Sequence, residues 1–139
     1  LPETAKPLAA YIPALQTGNL IYTSGQIPVK EGKIVYTGSV PSKVSPEDAV
    51  KAAEICVLNC LSAVKSIAGS LDNVERVVKL TVFVNSDAGF GEQPMVANGA
   101  SELVEKIFGE KGKHTRSAVG ASGLPKDSTV EIEMIVSVK

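Results

Sequence analysis

Tryptophan is absent, and three tyrosines and three phenylalanines are the only large aromatic rings in 139 residues. Too few π faces are available to stack a row of bases. Charge of one sign is missing as well: 14 Lys and Arg nearly cancel 15 Asp and Glu, leaving a net charge of -1. Without an excess positive field, nucleic acid is disfavoured as a partner, and so is an anionic lipid surface. No uninterrupted apolar run approaches the roughly 18 to 20 residues that span a bilayer, so no membrane partner is expected. One histidine and two cysteines cannot supply a zinc site, and no metal is expected. Cys56 and Cys60 stand four apart, the spacing that stacks side chains on one face of a helix. They read as buried, reduced thiols, from which cytoplasmic residence is the expectation.

What is present suits one compact domain, at a length and a 44% hydrophobic content ordinary for a globular fold. Residues 1–19 hold three prolines and no sustained period, and are expected to form an extended N-terminal arm; residues 20–139 form the domain. Leu20–Ser24 and Lys33–Thr37 are short β-branched and aromatic runs that read as a hairpin with a long loop. Ser45-Pro46-Glu47-Asp48 is a helix start, with a serine cap, proline at the first position and acids beside unpaired amides. That helix is expected to end at Gly69, burying Ala49, Ala53, Cys56, Val57, Cys60, Leu61, Val64 and Ile67.

Glu75–Asn85 alternates, with Val78, Leu80, Val82 and Val84 on one face and Val77, Lys79, Thr81 and Phe83 on the other. A second helix is expected over residues 93–108, with Met95, Val96, Leu103, Val104 and Ile107 inward. Residues 116–121 and 130–138 are the last two strands. The order β-β-α-β-α-β-β describes an α+β single domain, a mixed sheet with two helices on one face.

In the last strand Val130, Ile132, Met134, Val136 and Val138 share the helix side, so Glu131, Glu133, Ile135 and Ser137 point away from it. Placing Val119 on the helix side sends Arg116, Ala118 and Gly120 to the same far face as the glutamates. That face is too apolar to leave wet and too charged for a monomer's core, which favours burial against other copies of the chain. A weak ion pair on an exposed surface is the plainer alternative.

Four motifs carry a more specific signal: Ser24-Gly25-Gln26-Ile27-Pro28, Arg116-Ser117-Ala118-Val119, Leu124-Pro125-Lys126-Asp127 and Glu131-Ile132-Glu133. In this order the chain resembles, from Tyr11 to its end, the YjgF/Rid family of reactive-intermediate deaminases, also called translation inhibitors and L-PSP endoribonucleases. Its long 85–108 segment is similar to a chorismate-mutase-like subgroup carrying the endoribonuclease name.

The resemblance implies a homotrimer of chorismate-mutase-like subunits around a central barrel, with a cleft at each subunit interface. It also implies cofactor-independent hydrolysis of small enamines and imines of the 2-aminoacrylate type to 2-keto acids and ammonia. Arg116 then corresponds to the clamp on the substrate carboxylate, a task suited to the guanidinium fork. Glu131 corresponds to the acid that orients or deprotonates the attacking water. Tyr11, Ser24, the main chain of Ala118 and Gly120, and Asn98 are the implied substrate-binding positions. Ala118 stands where many relatives carry cysteine, which removes any thiol-dependent role. Other functions open to such a trimer are holding a small carboxylate without turnover, or RNA cleavage and translation inhibition. His114 reads as a solvated loop residue, and Glu133 as an interface or solvated charge.

Overall fold

The computed structural model describes residues 1–6 and 10–139; residues 7–9 of the expected arm lie outside the described residues. The central sheet has five strands in the order β1(Ala14–Thr17)-β2(Leu20–Thr23)-β7(Val130–Val138)-β5(Val74–Asn85)-β6(Thr115–Ala121), and β3(Val29–Lys30) pairs with β4(Lys33–Ile34) beside it. β5 and β6 pair in parallel, and the other neighbouring strands of this sheet pair antiparallel. One side of the sheet is covered by α1(Pro46–Ala68), which lies over β7, and by α2(Gln93–Phe108), which lies over β5 and β6. The α+β class and the two-helix layer are as the sequence pattern indicates.

α1 begins where expected: the Ser45 hydroxyl accepts from the Asp48 amide at 3.1 Å, Pro46 opens the first turn, and Gly69 closes the helix at φ 82. A positive φ there costs glycine little and any other residue more. Of the expected stripe only Ile67 stays outside, 41% exposed. Cys56 and Cys60 donate to the carbonyls of Val130 and Ile132 at 3.4 and 3.3 Å, so both thiols pack on β7. Burial pushes Cys60 up to about 12 and raises Cys56 in the same direction, which keeps both thiols protonated.

Several expectations are corrected. Residues 14–17 of the supposed arm are the edge strand β1, joined to β2 by a tight turn at Gly18 and Asn19. Leu20–Thr23 therefore pairs with β1 and β7, while Lys33–Ile34 pairs with Val29–Lys30 instead. In β5 a register shift between Val77 and Lys79 breaks the alternation, so Val77 is buried with Leu80, and Val78 is only half-buried. In α2 the buried residues are Gln93, Val96, Ala97, Gly99, Ala100 and Val104, while Met95 and Ile107 are exposed. The reason is the close crossing with α1, where a Cβ on Gly99 would stand 2.5 Å from the Val50 carbonyl oxygen. Small side chains win that face over large ones.

The most consequential correction concerns β6. Its parallel register sets Arg116 beside Leu80, Ala118 beside Val82 and Gly120 beside Val84, all on the helix-covered side. Ser117, Val119 and Ala121 take the open face, where Val119 is 44% exposed. As the edge strand, β6 has little helix above it, so a long polar side chain can fill the helix side there.

Candidate functional site

The residues singled out by motif fall into two groups. The first surrounds Glu131. Its cleft of about 430 Å³ is lined by Tyr11, Gly25, Gln26 and Glu131, together with Lys6 and Lys126. β7 presents Glu131 on the open face next to Phe83 of β5. A mutual bridge between Gln26 and Ile132, with amide to carbonyl distances of 2.8 and 3.0 Å, draws the Ser24-Gly25-Gln26 segment onto the same strand. A Cβ on Gly25 would stand 2.6 Å from Glu131 Oε2, so this glycine leaves the room that the carboxylate occupies.

Desolvation, and secondarily the charge of Glu133, raise the Glu131 carboxyl above its ordinary range. Such a group holds a proton more readily than a surface glutamate, as acid and base work at neutral pH requires. Ser24 lies within this group but spends its hydroxyl proton on the Ile12 carbonyl at 2.6 Å, and its amide donates to Pro13. It fastens the segment that carries Tyr11, a residue 54% exposed at the cleft.

The second group surrounds Arg116 at the far edge of the sheet. Arg116 Nη1 donates to Asn98 Oδ1 at 2.9 Å and to Ser101 Oγ at 3.1 Å, both on α2. Those two bonds use both Nη1 hydrogens. No hydrogen bond from Nε or Nη2 is made to the described residues, which leaves one side of the guanidinium fork for a planar, two-oxygen anion. Ala118 is half-buried against the core, and Gly120 is exposed beside Gln93 and Ser86, where a Cβ would meet Gln93 Nε2 at 2.8 Å. The structure thus brings Asn98 to Arg116. Sequence reasoning missed Ser101 and His114 as neighbours of Arg116, because nothing in the sequence set α2 against the start of β6.

The two groups do not meet within one chain. Glu131 is across from Phe83, and Phe83 across from Val119, which puts β7 two strands, or about 10 Å, from β6. Arg116 lies three residues before Val119, about 10 Å along the strand, and on the opposite face. A three-carbon acid cannot touch both from a single copy.

The open face carries an apolar set that one chain leaves uncovered: Leu15, Tyr22 and Val119 at 46, 39 and 44% exposure, with half-buried Phe83 and Ile135 among them. Among the described residues no helix is long and apolar enough to cross a membrane.

The family model described as Endoribonuclease L-PSP matches residues 2–138. Protein TCP17 of Trypanosoma cruzi is 40% identical over 137 residues, covering 98% of this chain and 86% of the relative. A 2-iminobutanoate/2-iminopropanoate deaminase of Dermatophagoides farinae is 30% identical over 138 residues, covering 99% and 93%. The solved structure of Atu1372, a protein of unknown function from Agrobacterium tumefaciens, superposes with a TM-score of 0.91 at 46% identity, over 96% of this chain and 85% of that one. Agreement along almost the whole sequence and in the fold makes this chain a member of the endoribonuclease L-PSP family, the YjgF/RutC family, which includes reactive-intermediate deaminases.

Proposed function

We propose that this protein hydrolyses small enamine and imine acids of the 2-aminoacrylate type to 2-keto acids and ammonia, in clefts between neighbouring copies of a homotrimer. The observation that carries the proposal is the free Nε and Nη2 edge of Arg116, held in place through Nη1. A fixed fork with one side vacant is built for a carboxylate. The spacing and opposite facing of the two groups favour a site shared by two copies, with Arg116 and Asn98 from one and Glu131 and Tyr11 from the next. The uncovered apolar face of the sheet supplies the surface on which copies associate.

Chemically the protein has little to do beyond positioning. The enamine takes a proton on its terminal carbon to become the iminium ion, water adds to the C=N carbon and gives up a proton, and the carbinolamine passes its hydroxyl proton to nitrogen and expels ammonia to leave the ketone. Glu131, with its raised proton affinity, gives a proton in the first step and receives one from the attacking water in the second. Arg116 holds the carboxylate throughout, so that the imine carbon faces the water. Tyr11 packs against the substrate's apolar side, and the main chain of Ala118 and Gly120 meets its polar end.

The deaminase relative, matched over 99% of this chain, supports this reading. RNA cleavage is less well served, because both ring nitrogens of the only histidine are engaged, with Ser101 Oγ at 2.9 Å and the Gly112 carbonyl at 2.6 Å.

The test generates 2-aminoacrylate with a pyridoxal-phosphate-dependent serine dehydratase and follows its decay. Wild type accelerates the decay, and Arg116→Ala loses that acceleration. Unaccelerated decay with wild type, together with tight binding of a 2-keto acid, would instead identify a carboxylate-binding trimer.

A further inference from the structure

Behind Arg116 stands a chain of hydrogen bonds. Arg116 Nη1 donates to Ser101 Oγ at 3.1 Å, Ser101 Oγ lies 2.9 Å from His114 Nε2, and His114 Nδ1 lies 2.6 Å from the Gly112 carbonyl oxygen. A carbonyl oxygen only accepts, so Nδ1 carries a hydrogen. In the neutral ring Nε2 is then a bare acceptor, and it takes the hydroxyl proton of Ser101. The lone pairs of Ser101 are thereby left for the guanidinium. All the bonds run one way, from Arg116 to a backbone carbonyl.

That end point does not move. Gly112 is buried, and its α-carbon faces the Val104 carbonyl so closely that a Cβ there would stand 2.5 Å from the oxygen. Glu105, Lys113 and Arg116 are the charged groups lining the same shallow cleft as His114, and Lys113 is paired with Glu110 at 2.9 Å. A serine beside a histidine nitrogen also resembles a nucleophile with its base. Here the guanidinium already draws on the serine lone pairs, which lowers nucleophilicity and fits a supporting role.

We infer that Ser101 and His114 are positioning residues for the substrate carboxylate: they hold the Arg116 guanidinium in the orientation that offers its free edge to a small organic acid. This rests on the reading of Arg116 as a carboxylate clamp. Without the acceptor at Nε2 nothing holds the Ser101 side chain in its χ1 rotamer, its oxygen can swing away from Arg116, and only Asn98 restrains the fork.

Two amide substitutions separate the roles of the two ring nitrogens. In His114→Asn the side-chain amide replaces Nδ1 and still ties to Gly112. In His114→Gln the side-chain carbonyl reaches the place of Nε2 and still accepts from Ser101. The probe is 2-oxobutanoate, titrated by NMR or calorimetry into wild type, both histidine variants and Ser101→Ala, with melting curves to verify folding. Binding weakens about tenfold in His114→Asn and Ser101→Ala and stays within about threefold of wild type in His114→Gln. In turnover the same loss appears in KM, with kcat little changed.

The reverse order, with His114→Asn like wild type and His114→Gln impaired, means that His114 only ties down the turn, and overturns the inference. Equal binding by all variants overturns it too. Wild type that does not bind 2-oxobutanoate overturns both this and the clamp. The expected binding order without turnover of 2-aminoacrylate supports the positioning role and sinks the deaminase reading alone.

Discussion

Glu131 gathers the conflict between stability and use into one carboxyl. Burial and then the Glu133 charge raise its proton affinity in the folded protein. A carboxyl so raised binds protons more readily folded than unfolded, so it favours folding below the ordinary carboxylate range and opposes folding as pH rises through its elevated value. Glu131→Gln removes that opposition. The variant melts at a higher temperature than wild type near neutral pH; its advantage fades as pH falls through the elevated value and is gone below about 4, where the wild-type carboxyl is protonated in both states. The proposed deaminase activity falls by about 10²- to 10⁴-fold, the usual worth of a general acid or base. Thermal melts across pH, set beside decay kinetics of 2-aminoacrylate, check both halves. Gly25 shares the logic at this scale: a residue with no side chain leaves the space for Oε2.

The second helix shows how an apolar pattern alone can misplace part of a face. Of the inward stripe expected in α2, Val96 and Val104 are buried and Leu103 packs at the core's edge, but Met95 and Ile107 are exposed, and Ala97, Gly99 and Ala100 fill the face instead. Backbone proximity decides it. Gly99 lets α2 approach the Val50 carbonyl, and Gly99→Ala sets an added methyl against backbone that cannot swing aside. Alanine gains about 1 kcal/mol of helix propensity over glycine, while overpacking costs about 1–3 kcal/mol. A net destabilisation of up to about 2 kcal/mol follows, measurable by urea denaturation. Because α2 also carries Asn98 and Ser101, the displaced helix weakens the hold on Arg116, and KM rises with it. The register shift in β5 is likewise invisible to a rule of strict alternation, since it depends on how β7 lies alongside.

At the scale of the whole molecule, one copy keeps Arg116 and Glu131 apart, and the proposed activity depends on a neighbour bringing them together. Complementation tests this directly. Arg116→Ala and Glu131→Gln are each inactive alone. When equal amounts are unfolded together and refolded, about a quarter of the clefts in a ring of copies pair an intact arginine with an intact glutamate. About a quarter of wild-type activity returns, in a species that sediments as a trimer. No recovery in a mixed trimer means that both groups act from the same chain. Loss of the trimer on Val119→Glu, with loss of activity, connects the uncovered sheet face to assembly.

The sequence by itself determined the fold class, the span and caps of α1, the buried face of β7 and the set of motif residues, because these rest on local chemistry and on periods of two and 3.6. Arg116 and Glu131 were legible in it as a pair of interest, through motif order. Tertiary structure alone decided which way β6 faces, that Ser24 spends its hydroxyl on the chain, and that His114 lies in hydrogen-bond contact with Ser101. The physical reason is that β6 is a short edge strand of mixed polarity. Its facing is set by the register it takes beside β5 and by the room left next to α2, and both are contacts between segments distant in the chain.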